Sequence, residues 1–92
     1  MFKEEMKMKS FSYTVKDELG IHARPAGALV KEAAAFPCSI TIAKDGKAAD
    51  AKRIFGVMGL GVKCGEEITV CTDGENEEAA SAAIEAFLKA NL

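Results

Sequence analysis

The apolar residues of this chain change their spacing repeatedly, from every second position, as in a strand, to every third or fourth, as in a helix. Alternating spacing predicts strands at residues 11–16, 39–44 and 66–72, and a hairpin turn predicts a returning strand at residues 47–51. Helical spacing predicts three helices, at residues 23–36, 54–60 and 75–90. Because two strand–helix–strand halves follow each other, the sequence predicts an α+β fold in which a four-stranded antiparallel sheet carries three helices on one face.

Turn residues mark the ends of these elements. Pro37 ends the first helix, since a proline cannot continue it. The dipeptide Asp45-Gly46 is typical of a hairpin and predicts that the second and third strands are directly joined. Glu77 and Glu78 favour the start of the last helix, because the helix dipole attracts negative charge there.

Length and composition indicate one small globular domain. The chain has 92 residues, of which 49% are hydrophobic, and a formal net charge of −2. The lack of a basic excess and of tryptophan argues against nucleic acid as a partner. No apolar run approaches the roughly 20 residues that a membrane-spanning helix needs, so no membrane insertion is predicted. We expect residues 8–92 to form the domain and residues 1–7, which have no signal-peptide pattern, to be a mobile N-terminal extension.

The three cysteines, Cys38, Cys64 and Cys71, lack the C-x-x-C spacing of a metal or redox motif. With a single histidine in the chain they make a poor ligand set, so no metal site is predicted. Their odd number favours reduced thiols in a cytosolic protein. Cys38, beside Pro37 in a predicted turn, is expected to be the most exposed of the three. A thiol enzyme using Cys38 or Cys64 is an alternative, although neither has a histidine nearby in sequence.

The single histidine, His22, stands in the run GIHARPA (residues 20–26), where a predicted loop gives way to a helix. Pro25 suits a first helical turn, and Gly20 permits a sharp turn before it. A helix N-terminus attracts anions through its unpaired N–H groups and its dipole. A neutral imidazole there can accept a phosphoryl group, whose oxygens the N–H groups and Arg24 would hold. On His22 alone, an ordinary surface histidine is the more common interpretation.

Three separated motifs resemble the HPr family, the histidine-containing phosphocarriers of the bacterial phosphoenolpyruvate-dependent sugar phosphotransferase system. GIHARPA resembles the active centre of that family. The other motifs are AKRIFGVMGLGV at residues 51–62, and GEEITV with DGENEEA at residues 65–70 and 73–79. The resemblance covers nearly the whole chain from Met8 on. It implies the open-faced βαββαβα sandwich, which agrees with the predicted order of elements.

The resemblance also implies roles for individual residues. His22 would accept the phosphoryl group through Nδ1, and Arg24 would pair with its oxygens. Enzyme I, charged by phosphoenolpyruvate, would be the donor, and sugar-specific enzyme IIA proteins would be the acceptors. The chain would be a cytoplasmic monomer that carries the group, rather than an enzyme, and would need no cofactor. The implied docking surface for these partners consists of Ile21, Ala23, Arg53, Phe55 and Met58.

One position departs from the family. Gram-positive HPr proteins carry a regulatory serine at the start of the short helix, in a Lys-Ser-Ile pattern, where this chain has Lys52-Arg53-Ile54. Because arginine has no hydroxyl group, we expect no regulatory phosphorylation at this position. Two alternatives to a sugar-transport carrier stay open: a regulatory phosphorelay paralogue, and a protein-binding module that is never phosphorylated. The intact His22 and Arg24 argue against the second of these.

Overall fold

The computed structural model describes residues 9–92, which fold into four strands and three helices. The strands are β1 (Lys9–Thr14), β2 (Ser39–Lys44), β3 (Lys47–Asp50) and β4 (Glu67–Asp73). The helices are α1 (Ala23–Ala34), α2 (Ile54–Gly59) and α3 (Glu77–Asn91). The type and order of the elements are as predicted, and no boundary differs from its prediction by more than two residues.

The strands form one antiparallel sheet in the order β1-β4-β2-β3. The predicted hairpin joins β2 to β3, and Asp45 and Gly46 both have positive φ there, at 50° and 83°. In the middle of the sheet, Val70 of β4 lies opposite Phe11 of β1 and Ile42 of β2. Paired residues point to the same face of a sheet, so this row presents apolar side chains to one side. The predicted α+β sandwich is therefore confirmed.

The core lies between that face and the helices. α3 packs on β1 and β4, α1 packs against α3, and α2 packs against α1 and β3. The largest buried apolar side chains come from both layers: Leu29, Val57, Ile84 and Leu88 from the helices, and Ile40, Ile42, Ile68 and Val70 from the strands. Burying a side chain of this size stabilises a fold by roughly 1.5–3 kcal/mol.

The structure corrects the prediction for Cys38. Cys38 is only 2% exposed and belongs to the core, because it directly precedes β2 and packs with the buried residues. Cys64 is the exposed cysteine and Cys71 is half-buried. In residues 9–92 all three are free thiols.

The predicted extension, residues 1–7, lies outside the described residues. Within residues 9–92, no helix is both long enough and apolar enough to cross a membrane. In the same part of the chain, no group of three or more His, Cys, Asp or Glu side chains is arranged to hold a metal ion.

Candidate functional site

His22 is the N-cap residue of α1. Its backbone is extended, with φ −98° and ψ −177°, and its carbonyl oxygen accepts the N–H of Ala26 at 2.9 Å. Within the described residues its side chain makes no capping hydrogen bond. The backbone of His22 therefore starts the helix while its imidazole stays available for chemistry.

The first turn of α1 leaves donors for an anion. Ala23 and Arg24 are the first two helical residues, and helix geometry gives their N–H groups no intrahelical acceptor. Pro25, the third helical residue, has no N–H to satisfy and is buried. The unpaired donors and the positive end of the helix dipole thus lie next to His22, as the sequence analysis expects of an anion site.

The segment that leads into α1, here called the His22 loop (residues 15–21), is held by three distant parts of the chain. At its start, the Val15 N–H donates to the Glu66 carbonyl oxygen at 3.0 Å, just before β4. Next, the N–H groups of Lys16 and Asp17 donate to the Leu92 carbonyl oxygen at 2.5 and 2.8 Å, beyond the last turn of α3. At its end, the Ile21 N–H donates to the Val62 carbonyl oxygen at 3.0 Å. The first strand was predicted to extend to residue 16. It ends earlier because the N–H groups of Lys16 and Asp17 donate to Leu92 instead of to β4.

Gly20 permits the closest approach in this loop. Its φ is +68°, and a β-carbon at this position would lie 2.2 Å from the Val62 carbonyl oxygen. No other residue type fits without movement of the backbone. Gly20 therefore fixes how near the His22 loop lies to the segment after α2.

Lys44 and Glu66 support that segment from the other side. Lys44 Nζ lies 2.9 Å from Glu66 Oε1 and donates to the carbonyl oxygens of Leu60 and Gly61 at 3.4 and 3.1 Å. Glu66 also accepts the Lys63 N–H at 2.7 Å. The hydrogen bond from Lys44 and then that from Lys63 hold the pKa of Glu66 below its ordinary value.

Asp17 approaches the histidine ring. Its Oδ2 lies 3.6 Å from His22 Nε2, while its Oδ1 accepts the Leu19 N–H at 2.8 Å. The sequence alone does not indicate this contact, because an aspartate in a loop is typical of an ordinary turn and no motif pairs Asp17 with His22. Only the folded chain shows that the two side chains approach each other.

Arg24 lies two residues after His22, in the first turn of α1. It is exposed, and it forms no ion pair with any residue in the described range 9–92. A shallow depression of about 260 Å³ brings together six residues around this point: Asp17, His22, Arg24, Pro25, Ala28 and Asn91. The two predicted reactive residues therefore share one small concave surface.

The implied docking residues divide into two groups. Phe55 is 87% exposed and Met58 37%, and Ala23 and Arg53 are also exposed. Because α2 packs against α1, these four side chains belong to neighbouring helices. Ile21 differs from them: it is only 6% exposed and belongs to the core, because the loop turns its side chain inward where its N–H bonds to Val62.

Arg53 occupies the N-cap of α2 in extended conformation, with φ −123° and ψ 118°. Its side chain is 81% exposed, and its Nε lies 4.0 Å from Asp50 Oδ2, at the limit of an ion pair. Such an exposed pair contributes little to stability. The guanidinium is thus presented to solvent beside Phe55.

Comparison with known proteins places this geometry among phosphocarriers. The family model described as PTS HPr component phosphorylation site matches residues 9–90. The phosphocarrier protein HPr of Lysinibacillus sphaericus is 46% identical over 81 residues, 88% of this chain and 92% of the relative. The structure of HPr from Bacillus anthracis has a TM-score of 0.83 at 40% identity, covering 88% of this chain and 96% of that one.

A second kind of relative is also similar. Crh, the Bacillus subtilis catabolite repression containing protein, has been described as a dimer with a swapping domain. Its structure has a TM-score of 0.73 at 36% identity and covers 87% of this chain and 92% of that one. The family match over residues 9–90, the identity with curated relatives and the shared fold agree with one another. The chain belongs to the HPr family of phosphocarriers of the phosphotransferase system.

Proposed function

We propose that this chain carries a phosphoryl group on Nδ1 of His22, accepts it from phospho-enzyme I and passes it to enzyme IIA domains in sugar uptake. The observation that carries this proposal is the state of the His22 ring. It stands at the N-cap of α1, makes no capping hydrogen bond within the described residues, and has 36% of its side chain exposed. An imidazole of this kind keeps a lone pair for attack on phosphorus and is open to a partner.

Arg24 and the start of α1 would hold the transferred group. The guanidinium can bind two phosphoryl oxygens at once, and the N–H groups of Ala23 and Arg24 can donate to the same dianion. One arginine and one helix end hold a phosphoryl group weakly enough for it to leave again, which suits a carrier better than a storage site.

In this proposal the chain is a substrate of its partners rather than an enzyme. Enzyme I and the enzyme IIA proteins would dock in turn on the surface formed by Ala23, Arg53, Phe55 and Met58, because an apolar patch left exposed beside a reactive group is typical of an interface. We expect it to act as a monomer in the cytoplasm, where its free thiols would stay reduced.

Phosphorylation by enzyme I tests the proposal directly. Incubation with enzyme I and phosphoenolpyruvate should add one acid-labile, base-stable phosphate to the peptide that contains residues 20–26. The His22→Ala variant should take up none and should stay folded. Glu18→Gln, a change at a neighbouring exposed residue, is the control and should be labelled as the native chain is. A phosphate that persists in His22→Ala would overturn the proposal.

A regulatory phosphorelay is the second candidate, and the similarity to Crh favours it. In that case His22 would still be phosphorylated, but the group would not reach a sugar permease. The two functions differ in the acceptor, which is another chain. Incubating the phosphorylated chain with a panel of enzyme IIA proteins decides between them, since transfer to sugar-specific members supports the first function and transfer to none supports the second.

A further inference from the structure

We propose that Asp17 is a positioning residue for His22: its carboxylate holds the ring proton on Nε2 and so leaves Nδ1 as the nucleophile. This inference rests on the proposed function of His22 and deepens it. Asp17 Oδ2 lies 3.6 Å from Nε2, slightly farther than a hydrogen bond. Contacts of reactive groups are often long before a partner binds and shorten in the complex.

The backbone aims the Asp17 carboxylate at the ring. Its N–H donates to the Leu92 carbonyl oxygen at 2.8 Å, and its own carbonyl oxygen accepts the Gly20 N–H at 2.9 Å. Its Oδ1 accepts the Leu19 N–H, which fixes the rotation of the carboxylate. With Oδ1 occupied in this way, Oδ2 is the oxygen that faces His22. Three groups of Asp17, its N–H, its carbonyl oxygen and Oδ1, thus form hydrogen bonds that place its Oδ2 beside the imidazole.

This placement selects one tautomer of the imidazole. A neutral ring carries its proton on one nitrogen and a lone pair on the other. A carboxylate has no proton to donate, so the nitrogen that faces it is favoured as the N–H. With Nε2 facing Asp17, the lone pair is on Nδ1. The geometry therefore gives a physical reason for reaction at Nδ1 that is independent of family resemblance.

The same contact acts during transfer. The Nδ1 lone pair forms the N–P bond while the bond from phosphorus to the donor atom of phospho-enzyme I breaks and leaves its electron pair on the donor. The ring, with phosphorus on Nδ1 and a proton on Nε2, then carries a positive charge opposite the Asp17 carboxylate. In the onward step a lone pair of the enzyme IIA acceptor atom forms a new bond to phosphorus while the N–P bond breaks. The electron pair of that bond returns to Nδ1, and the ring becomes neutral. Asp17 neither gives nor takes a proton in either step.

The variant Asp17→Asn separates this role from the role of Asp17 in the turn. An asparagine oxygen can still accept the Leu19 N–H, but the group that then faces Nε2 is an NH₂ donor. We expect the ring proton to move toward Nδ1, which blocks the nucleophile. Asp17→Glu restores a carboxylate and should recover part of the native behaviour. Glu18→Gln removes one negative charge from the adjacent exposed position and is the control.

Two readouts are needed. The first is the ¹⁵N chemical shifts of the two His22 ring nitrogens in the unphosphorylated chain above about pH 8, where an ordinary imidazole is neutral. The second is the single-turnover rate of phosphoryl transfer from phospho-enzyme I. We expect Asp17→Asn to raise the Nδ1–H fraction and to lower the rate roughly three- to tenfold, as for the loss of a partly exposed charge contact. Glu18→Gln should leave both unchanged.

A native tautomer ratio in Asp17→Asn, or a changed ratio with a native transfer rate, would overturn the proposal. If Asp17→Asn loses the turn, Asp17→Ser keeps an acceptor for the Leu19 N–H without reaching the ring, and its tautomer ratio should move toward that of free histidine. If the native chain accepts no phosphate from enzyme I, the proposed function of His22 fails. The tautomer ratio is measured without enzyme I, so it still shows whether Asp17 determines which ring nitrogen of His22 carries the proton.

Discussion

At the scale of single residues, the shape of the site depends on backbone contacts more than on the reactive side chains. His22 and Arg24 are partly or wholly exposed and contribute little to the core. Gly20, in contrast, brings the His22 loop against the Val62 carbonyl oxygen at a distance that no β-carbon could share. Changes at Gly20 should therefore disturb the site without touching any reactive group.

We expect Gly20→Ala to lower the free energy of unfolding by at least about 3 kcal/mol, because it adds a backbone clash to the cost of positive φ. Gly46→Ala is the matched control: its φ is +83°, but within the described structure nothing lies within 4 Å of the added carbon. It should cost only about 1–2 kcal/mol. Urea unfolding measures both, and equal losses would show that the approach to Val62 carries no extra cost.

The sequence predicts the positions of some of these residues but not the long-range contacts of others, for a physical reason. Local chemistry indicates a turn at Gly20 and a helix start at Pro25, so the position of His22 follows from its neighbours. The contacts of Asp17 with His22, and of Gly20 with Val62, need the folded chain, since no local pattern encodes which distant backbone approaches a loop. The exposure of Cys38 was predicted wrongly for the same reason: Pro37 indicates a turn, but the folded chain packs the side chain beside it into the core.

At the scale of elements, α2 has one face in the core and one in solvent. Val57 is fully buried, whereas Phe55, two residues earlier, is 87% exposed. The spacing of Val57 and Leu60 in this short apolar run predicts that both face the core, and both are buried. The packing of α2 against α1 and β3 covers that face and leaves Phe55 outside it.

This division predicts opposite effects for two truncations on α2. Phe55→Ala should change the free energy of unfolding by less than about 0.5 kcal/mol and weaken enzyme I binding roughly tenfold, since exposed aromatic residues often anchor an interface. Val57→Ala should cost about 2 kcal/mol of stability through the cavity that it leaves. Thermal unfolding and calorimetric titration with enzyme I measure the two effects. Unchanged enzyme I affinity in Phe55→Ala would remove Phe55 from the docking surface.

Arg53 at the start of α2 should influence association through its charge. We expect Arg53→Ser to bind enzyme I more weakly at low salt, with the difference closing as salt rises, because a solvent-exposed cation acts mainly over long range. Lys9→Ser removes an equal charge from β1, at the opposite edge of the sheet from β3, and is the control. If Arg53→Ser matches the native affinity at every ionic strength, Arg53 is only a surface residue.

The ion pair of Lys44 and Glu66 should make stability depend on pH. Since the folded state lowers the pKa of Glu66 from its ordinary 4.5, the carboxylate stabilises the fold above that value, and the stabilisation is lost as pH falls through the lowered pKa. Glu66→Gln should therefore be less stable than the native chain near neutral pH, and the difference should shrink in acid. Urea unfolding across that range measures it, with Glu67→Gln, at an exposed neighbour, as the control. A difference that stays constant with pH would contradict this prediction.

At the scale of the whole molecule, residues 9–92 contain all seven elements of the βαββαβα sandwich. Apolar spacing and turn residues together predict every one of them, because most elements bury one face and their turns carry strong signals. Residues 1–7 show neither kind of spacing, so we expect them to add nothing to the core.

Deletion of residues 1–7 should leave both the unfolding free energy and phosphoryl acceptance unchanged. The sequence of this segment has no alternating or helical apolar spacing that would indicate packing on the domain. Comparison of the full chain with a chain that begins at Met8, by thermal unfolding and by the enzyme I reaction, measures both quantities. A loss of more than about 1 kcal/mol, the size of an average point mutation, would mean that the segment packs on the domain.

The bonds from Lys16 and Asp17 to the Leu92 carbonyl oxygen connect the His22 loop to the end of α3. Leu92 is only 5% exposed and packs in the core, so these bonds open only when its side chain leaves the core. Each such opening would release the backbone that aims Asp17, while the sheet stays paired. Opening at the end of α3 and movement of the His22 loop are therefore coupled. A partner that clamps the loop would also slow amide hydrogen exchange in the last turn of α3, which it need not touch.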